Sequence, residues 1–234
     1  NSNFSGSGYT DPITSNNQWS VKYVYNDNGS ILTTTDARNK SVTATYDNLN
    51  RIKVRDYSDS GMPDVSFYYD GRGLGAVPDF SNGKTTKIAS SNSETRYTGF
   101  DIFGRLLAHR QSTDGVDYDT QYTYNLGGAL IEETYPSGRV VKNTFDQDGN
   151  LSQVQSKKNA ANGFWTYASG FAFDSAGNVK KMQLGNGRWE TASYNNRSQI
   201  TQIGLGVTDS AQDLLKLEYK YDTNSTSYDN NGSM

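Results

Sequence analysis

Tyr46-Asp47-Asn48-Leu49-Asn50-Arg51-Ile52 decides the fold, because the chain keeps returning to its pattern: an aromatic residue, Asp or Asn, two loose positions, usually Gly, a polar residue and an aliphatic. Phe100-Asp101-Ile102-Phe103-Gly104-Arg105-Leu106 and Phe145-Asp146-Gln147-Asp148-Gly149-Asn150-Leu151 repeat it clearly. Further copies begin at Tyr25, Tyr124, Phe173 (with Asp174 and Gly177) and Tyr194. A broken copy begins at Tyr69-Asp70, and Tyr228-Asp229-Asn230-Asn231-Gly232-Ser233-Met234 ends the chain. Repetition at this period means one structural unit stacked many times.

The spacing supports a unit of fixed length. Tyr25 to Tyr46, Tyr124 to Phe145 and Phe173 to Tyr194 are each 21 residues apart. After Tyr69-Asp70 the Gly of the pattern arrives only at Gly83, fourteen positions past the aromatic instead of four, so ten residues, at about 73–82, are inserted there. Insertions of this kind belong in loops.

Before each anchor the residues alternate: Trp19, Val21, Tyr23 and Tyr25 share one face against Ser20 and Lys22, and Leu215, Leu217, Tyr219 and Tyr221 oppose Lys216, Glu218 and Lys220. A period of two means strands. Alternation resumes after the anchor, with Ile52 and Val54 against Lys53 and Arg55, so the Asp-x-x-Gly segment is a hairpin turn. Asp and Asn accept bonds from nearby turn amides, and Gly supplies a positive φ. A second class of turn is expected at Tyr135-Pro136-Ser137-Gly138-Arg139, Leu184-Gly185-Asn186-Gly187-Arg188 and Asp36-Ala37-Arg38-Asn39-Lys40. Each unit is then two strands and two turns. The fold class is all-β: tandem antiparallel hairpins over 19–234 forming one continuous curved or spiralling sheet, after a tail or frayed first repeat at 1–18. The best helix candidate, Asp209 to Lys216, is short and runs into an alternating strand.

Composition agrees. Hydrophobic residues are 33% of the chain and Tyr, at 17 copies, outnumbers Phe and Trp together, while mean hydropathy is −0.79. That suits a thin, tyrosine-rich core. A net charge of −3, with no window concentrating Lys and Arg, argues against nucleic acid as a partner. The absence of Cys excludes disulfides and thiolate chemistry. No apolar run approaches the roughly 20 residues that span a bilayer. The chain starts and stops inside its pattern, which reads as a piece of a longer polypeptide.

The Tyr-Asp-x-x-Gly-Arg-Leu pattern resembles the YD repeat of bacterial Rhs proteins, of the B and C components of Tc insecticidal toxins, and of teneurins. The likeness covers roughly residues 19 to 234. Thr34-Thr35-Asp36-Ala37-Arg38, Glu133-Thr134-Tyr135-Pro136-Ser137-Gly138-Arg139-Val140 and Leu214-Leu215-Lys216-Leu217-Glu218-Tyr219 look most like the bacterial Rhs branch. The resemblance implies an antiparallel strip that spirals into a hollow shell, in some members enclosing a toxic C-terminal polypeptide. It also implies a bacterial, secreted or cell-surface setting. The Asp-Pro-x-Gly-Leu segment and autoproteolytic aspartates of toxin-carrying relatives have no counterpart here, since Asp11-Pro12 lacks the Gly-Leu.

The anchors read as structural: Tyr25, Tyr46, Asp47, Tyr69, Asp70, Phe100, Asp101, Gly104, Arg105, Tyr124, Phe145, Asp146, Gly149, Phe173, Asp174, Gly177, Tyr194, Tyr228 and Asp229. Asn takes the place of Asp at 26, 125 and 195, which a turn tolerates and carboxylate catalysis does not. Arg51, Arg105, Arg139 and Arg188 are placed to lay their stems over neighbouring rings. The lone His109 lacks a nearby nucleophile in sequence. Asp117 and Asp119, two apart on one strand face, form the best carboxylate pair. Asp146-Gln147-Asp148-Gly149-Asn150 mimics a calcium loop with Gly misplaced and Lys157 where a bidentate Glu belongs. No catalytic residue, metal or cofactor is expected. Two functions remain: a scaffold whose partner is the rest of its parent polypeptide, and a binding module for glycans or a cell-surface partner, with Trp19, Trp165 and Trp189 as candidate contacts. A sheet cut mid-array also invites edge-to-edge self-association.

Overall fold

The computed structural model describes residues 20–221; Trp19, Tyr228, Asp229 and the expected 1–18 tail lie outside them. The chain divides into two compact units, one through Gln121 and one from Tyr122. The first holds β1 (Val21–Tyr25), β2 (Ile31–Asp36), β3 (Ser41–Tyr46), β4 (Ile52–Tyr57), β5 (Val65–Tyr69), β6 (Thr85–Ala89), β7 (Ser93–Phe100), β8 (Leu106–Thr113) and most of β9 (Val116–Tyr124). The second holds β10 (Leu130–Thr134), β11 (Val140–Phe145), β12 (Leu151–Lys157), β13 (Trp165–Phe173), β14 (Val179–Leu184), β15 (Trp189–Tyr194), β16 (Ile200–Gly206) and β17 (Leu215–Glu218). Within each unit every strand pairs antiparallel with the next, so the class is an all-β open sheet. The considered helix at 209–216 does not form. Leu214 N–H donates to Leu205 O (3.1 Å) and Val207 N–H to Asp213 Oδ1 (3.1 Å), which closes a loop, and β17 begins at Leu215.

The motif is legible bond by bond in the turns. Asp47 N–H donates to Arg51 O and Asn50 N–H donates back to Asp47 O, both at 2.9 Å. Asp47 Oδ1 meanwhile accepts the N–H groups of Leu49 and Arg51, both at 2.9 Å. This is a type I turn followed by a left-handed residue, a bulged three-residue hairpin loop. The left-handed position is Gly104, Gly149 and Gly177 in other copies, with φ of 74°, 83° and 84°, but Asn50 and Ser198 hold it at 58°. Asn is one of the few residues besides Gly that visit that region, and the Asn50 side chain is held by Ser30 Oγ of the preceding turn, to which Nδ2 donates at 2.8 Å.

The turns between repeats prove to be the same backbone turn. Tyr135 N–H to Arg139 O and Gly138 N–H to Tyr135 O, both 2.8 Å, reproduce the pattern, as do Leu184, Gly187 and Arg188. Only the side-chain cap differs, because Tyr135 and Leu184 carry no acceptor oxygen on Cγ. Asp36 does, and its Oδ1 accepts from Arg38 and Lys40 at 2.9 and 3.0 Å, so this turn has the anchor chemistry. At the insertion the closing bond survives: Asp70 N–H donates to Lys84 O (3.1 Å) and Asp70 Oδ1 accepts Gly83 N–H (2.7 Å).

Register explains the aromatic and the aliphatic. Tyr25 faces Ile31, Tyr46 faces Ile52, Phe100 faces Leu106, Phe145 faces Leu151, Phe173 faces Val179 and Tyr194 faces Ile200. Tyr69 faces Thr85 instead, sixteen positions on where the others lie six on, which returns the ten-residue insertion.

Tyrosine then ties successive repeats together. The hydroxyl of Tyr46 donates to Ile31 O (2.6 Å), that of Tyr69 to Ile52 O (2.9 Å), that of Tyr194 to Val179 O (3.1 Å) and that of Tyr221 to Ile200 O (2.9 Å). Each of these tyrosines thus caps the first carbonyl after the preceding repeat's turn. Phe145 cannot, and Asn143 Nδ2 reaches the equivalent Leu130 O at 3.1 Å. Tyr69→Phe removes one such bond while keeping the ring, so urea denaturation should show a loss of about 0.5–1.5 kcal/mol. An unchanged midpoint would mean the hydroxyl bond adds nothing.

The core is thinner than the tyrosine content suggested. Among the described residues Phe100, at 8% exposure, is the only buried hydrophobic residue, and within each unit the contacts between elements join consecutive strands. Among the described residues Thr86 is the one fully buried side chain, its hydroxyl donating to Tyr68 O (3.3 Å) or Arg72 O (3.1 Å) beneath the insertion.

Candidate functional site

The most organised polar surface is the ladder of capped turns, best developed in the first unit. Arg51 Nε donates to Asp47 Oδ2 within its own turn (2.8 Å). Its Nη1 and Nη2 reach Asp70 Oδ1 and Oδ2 of the next repeat at 3.2 and 2.8 Å. The guanidinium also lies 4.2 Å from the centroid of the Tyr69 ring. Planar, forked and always charged, Arg suits a site that is at once bidentate and stacked. Arg105 holds Asp101 (2.5 Å) and lies 5.1 Å from the Phe103 ring, and Arg139 lies 5.1 Å from Tyr167. Other repeats fill the fifth turn position with an amide: Asn178 Nδ2 donates to Asp174 Oδ2 (2.9 Å), and Asn195 Nδ2 donates to Gln199 Oε1 (2.8 Å). The motif's loose "polar" position is therefore a cross-turn clamp. Tyr46, Asp47, Arg51, Phe67, Tyr69 and Arg72 border an open cleft of about 670 Å³, but its carboxylates are already spent on Arg51.

Electrostatics make the anchors poor acids. The Asp47 carboxyl is held below the usual carboxylate range first by the Arg51 N–H and then by its guanidinium, and that of Asp70 first by the Arg51 guanidinium. Asp174 is lowered first by the Asn178 amide and Asp36 first by the Lys40 N–H. At Asp101 partial burial pushes upward, and the Arg105 N–H and guanidinium outweigh it. A depressed carboxyl contributes stability above its unfolded pKa of about 3.9, and that contribution is lost as pH falls through the folded value. Thermal midpoints should stay flat from neutral pH down to about pH 5 and fall below about pH 4. Hydrogen exchange adds an internal control. The Asn26, Asn125 and Asn195 caps accept the same i+4 N–H at 2.8, 2.9 and 3.1 Å without titrating, so those turns should stay protected in acid while the Asp turns open. Simultaneous opening of both kinds would discard the account.

The remaining candidates separate. Arg110 grips Asp119 through Nε and Nη2 (2.6 Å each) and Asp117 through Nη1 (2.9 Å), and Asp119 is lowered first by that guanidinium. A glycosidase acid needs a raised pKa, so this pair is a cross-strand ion cluster. His109 stands opposite Tyr97, ring centroids 6.3 Å apart. Asp146 uses Oδ1 to accept the Asp148 and Asn150 N–H groups at 3.0 and 2.8 Å, the ordinary turn cap; among the described residues no His, Cys, Asp or Glu cluster could hold a metal. The tryptophans part company. Trp165 is 75% exposed. Trp189 lies against Gly170, where an added Cβ would stand 2.8 Å from the ring, and Lys181 Nζ is 5.5 Å from its centroid.

The comparisons match this architecture. A crystal structure of TcdB2-TccC3 without its hypervariable C-terminal region superposes with a TM-score of 0.73 at 15% identity, covering 86% of this chain and 11% of that one. A further crystal structure of TcdB2-TccC3 gives 0.71, and the Photorhabdus luminescens Tc holotoxin pore carrying a TccC3 mutation gives 0.70, each with the same identity and coverage. The chain therefore has the fold found in these Tc toxin structures, as the YD-repeat resemblance implied, and spans about a ninth of their length. No protein-family model and no curated protein sequence matches it.

Proposed function

We propose that this chain is a non-catalytic wall segment of an Rhs-type shell, enclosing or presenting a C-terminal, toxin-like stretch of its parent polypeptide outside a bacterial cell. One observation carries the reading: among the described residues, neither unit lays a second layer of its own strands over its sheet. Stable domains bury a sheet face against another element, whereas here the contacts inside each unit run along the strip and one hydrophobic residue is buried among those described. A face left this open suits a wall completed by neighbouring chain. β17 supports the same view, since Leu215 and Leu217 are exposed on a strand whose one described partner is β16. Edge-to-edge association of isolated copies is the corresponding hazard. The Tc toxin likeness supports the shell, and the arginine-clamped carboxylates support the absence of acid–base chemistry.

The test is protease protection in the polypeptide that carries this array with its flanks. The C-terminal segment should resist digestion until the repeats unfold, and cleavage at the rate of the same segment made alone would reject enclosure. A second reading is favoured by the exposure of Trp165: a glycan-binding module gaining avidity from repetition. A saturable oligosaccharide-induced fluorescence change, lost in Trp165→Ala, would favour it over the wall.

A further inference from the structure

Four Asn-Gly pairs lie among the described residues: Asn28-Gly29, Asn82-Gly83, Asn162-Gly163 and Asn186-Gly187. Asn-Gly is a chemically fragile linkage because Gly leaves its own backbone nitrogen unshielded. That nitrogen, after losing its proton, attacks Cγ of the Asn side chain. The bond from Cγ to the side-chain nitrogen breaks, ammonia leaves and a five-membered succinimide closes. Water then opens either ring C–N bond to give aspartate or isoaspartate. One water is consumed, one ammonia is released and nothing is oxidised or reduced. The attack requires the Gly N–H to be free both to ionise and to turn toward Cγ, so a hydrogen bond donated by that N–H is protection.

The fold distributes this protection unequally. Gly29 N–H donates to Asn26 O (2.9 Å) and Gly187 N–H to Leu184 O (2.8 Å), both inside bulged turns, and Gly83 N–H donates to Asp70 Oδ1 (2.7 Å). Gly163 N–H has no acceptor among the described residues, although the preceding Asn162 N–H is anchored to Asn159 O (3.2 Å). The space is open at all four glycines, with nothing within 4 Å of where a Cβ would stand, so the N–H bond is what separates them. We propose that Asn162 is a site of spontaneous deamidation, singled out because the turn bonds that build the repeat happen to guard the other three. The product places a new carboxylate in the loop between β12 and β13, after Lys157 and Lys158 and three residues before the exposed Trp165. The inference stands apart from the proposed function, since it needs only the bonds of the folded chain.

The test is incubation of the folded chain at mildly alkaline pH and body temperature, followed by peptide mapping for the amide-to-acid mass gain and for isoaspartate. Asn162 should convert several-fold to roughly tenfold faster than Asn28, Asn82 or Asn186, the factor set by opening one ordinary hydrogen bond. In concentrated urea the four rates should converge, and Gly163→Ala should slow conversion at Asn162. The proposal is overturned if any of the other three keeps pace with Asn162 in the folded chain. It also fails if Asn162 stays intact there, or if its lead persists undiminished in urea.

Discussion

Phe100→Ala should destabilise the first unit by about 3–5 kcal/mol, the usual range for deleting a buried aromatic ring. Phe103→Ala, three residues away in the same turn, should cost under about 1 kcal/mol. The two substitutions delete the same ring. Phe100 is 8% exposed and faces Leu106 across the hairpin, whereas Phe103 occupies a loose turn position, is 70% exposed and has the Arg105 guanidinium noted above beside its ring. Both described tryptophans lie beyond Gln121, in the second unit, so guanidinium unfolding should be followed by far-ultraviolet dichroism and tyrosine emission. A large gap between the variants would show that a sheet without a covering layer still concentrates packing at its anchors. Equal effects would mean that the anchor ring does no more than a surface ring.

The turn positions were legible because their chemistry is local. Asp or Asn with a left-handed residue three positions on describes one hairpin loop whatever surrounds it, and the interchange of Asp47 with Asn195 identified the side chain as an acceptor. The insertion was legible for the same reason, since Asp70 still closes onto Lys84 across it. What escaped the sequence lies across strands. Alternation says which residues share a face of one strand, but not which carbonyl a tyrosine hydroxyl meets one repeat earlier. The Tyr46–Ile31 bond and its Asn143 replacement were therefore invisible. Tyr221 was read as an ordinary strand residue although it makes the anchor's bond to Ile200 O. Trp165 and Trp189 look alike in sequence, but Gly170, on a strand two away, leaves room for the Trp189 ring. The turns at Tyr135 and Leu184 stand where the sequence places them but look like a separate class for the same reason: neither residue can supply the cap, which hides the shared backbone bonds.

Gly206→Ala should be the most damaging single methyl added to the second unit, at about 1–3 kcal/mol or more. β16 ends at this buried glycine, and the following loop folds back so closely that a Cβ there would stand 2.1 Å from Ala211 O and 2.4 Å from Ala211 C. These are backbone atoms and no rotamer change clears them. The loop is also tied at both ends, by Val207 N–H to Asp213 Oδ1 and Leu214 N–H to Leu205 O, so it must break a bond to move. Gly204→Ala meets mainly Gln212 side-chain atoms, at 2.6 Å for Cγ, and the Thr191 hydroxyl at 2.7 Å, so it should cost less. Gly163→Ala meets nothing and should be neutral. Hydrogen exchange should localise the Gly206→Ala damage to the β16–β17 pairing, whose register from Gln202–Glu218 to Leu205–Leu215 depends on that loop. A neutral Gly206→Ala would mean that the loop does not rest on the strand end. Where the described strands of a unit carry no second layer such loops are the local cover, which is why a clash here should outweigh the loss of an exposed aromatic such as Trp165.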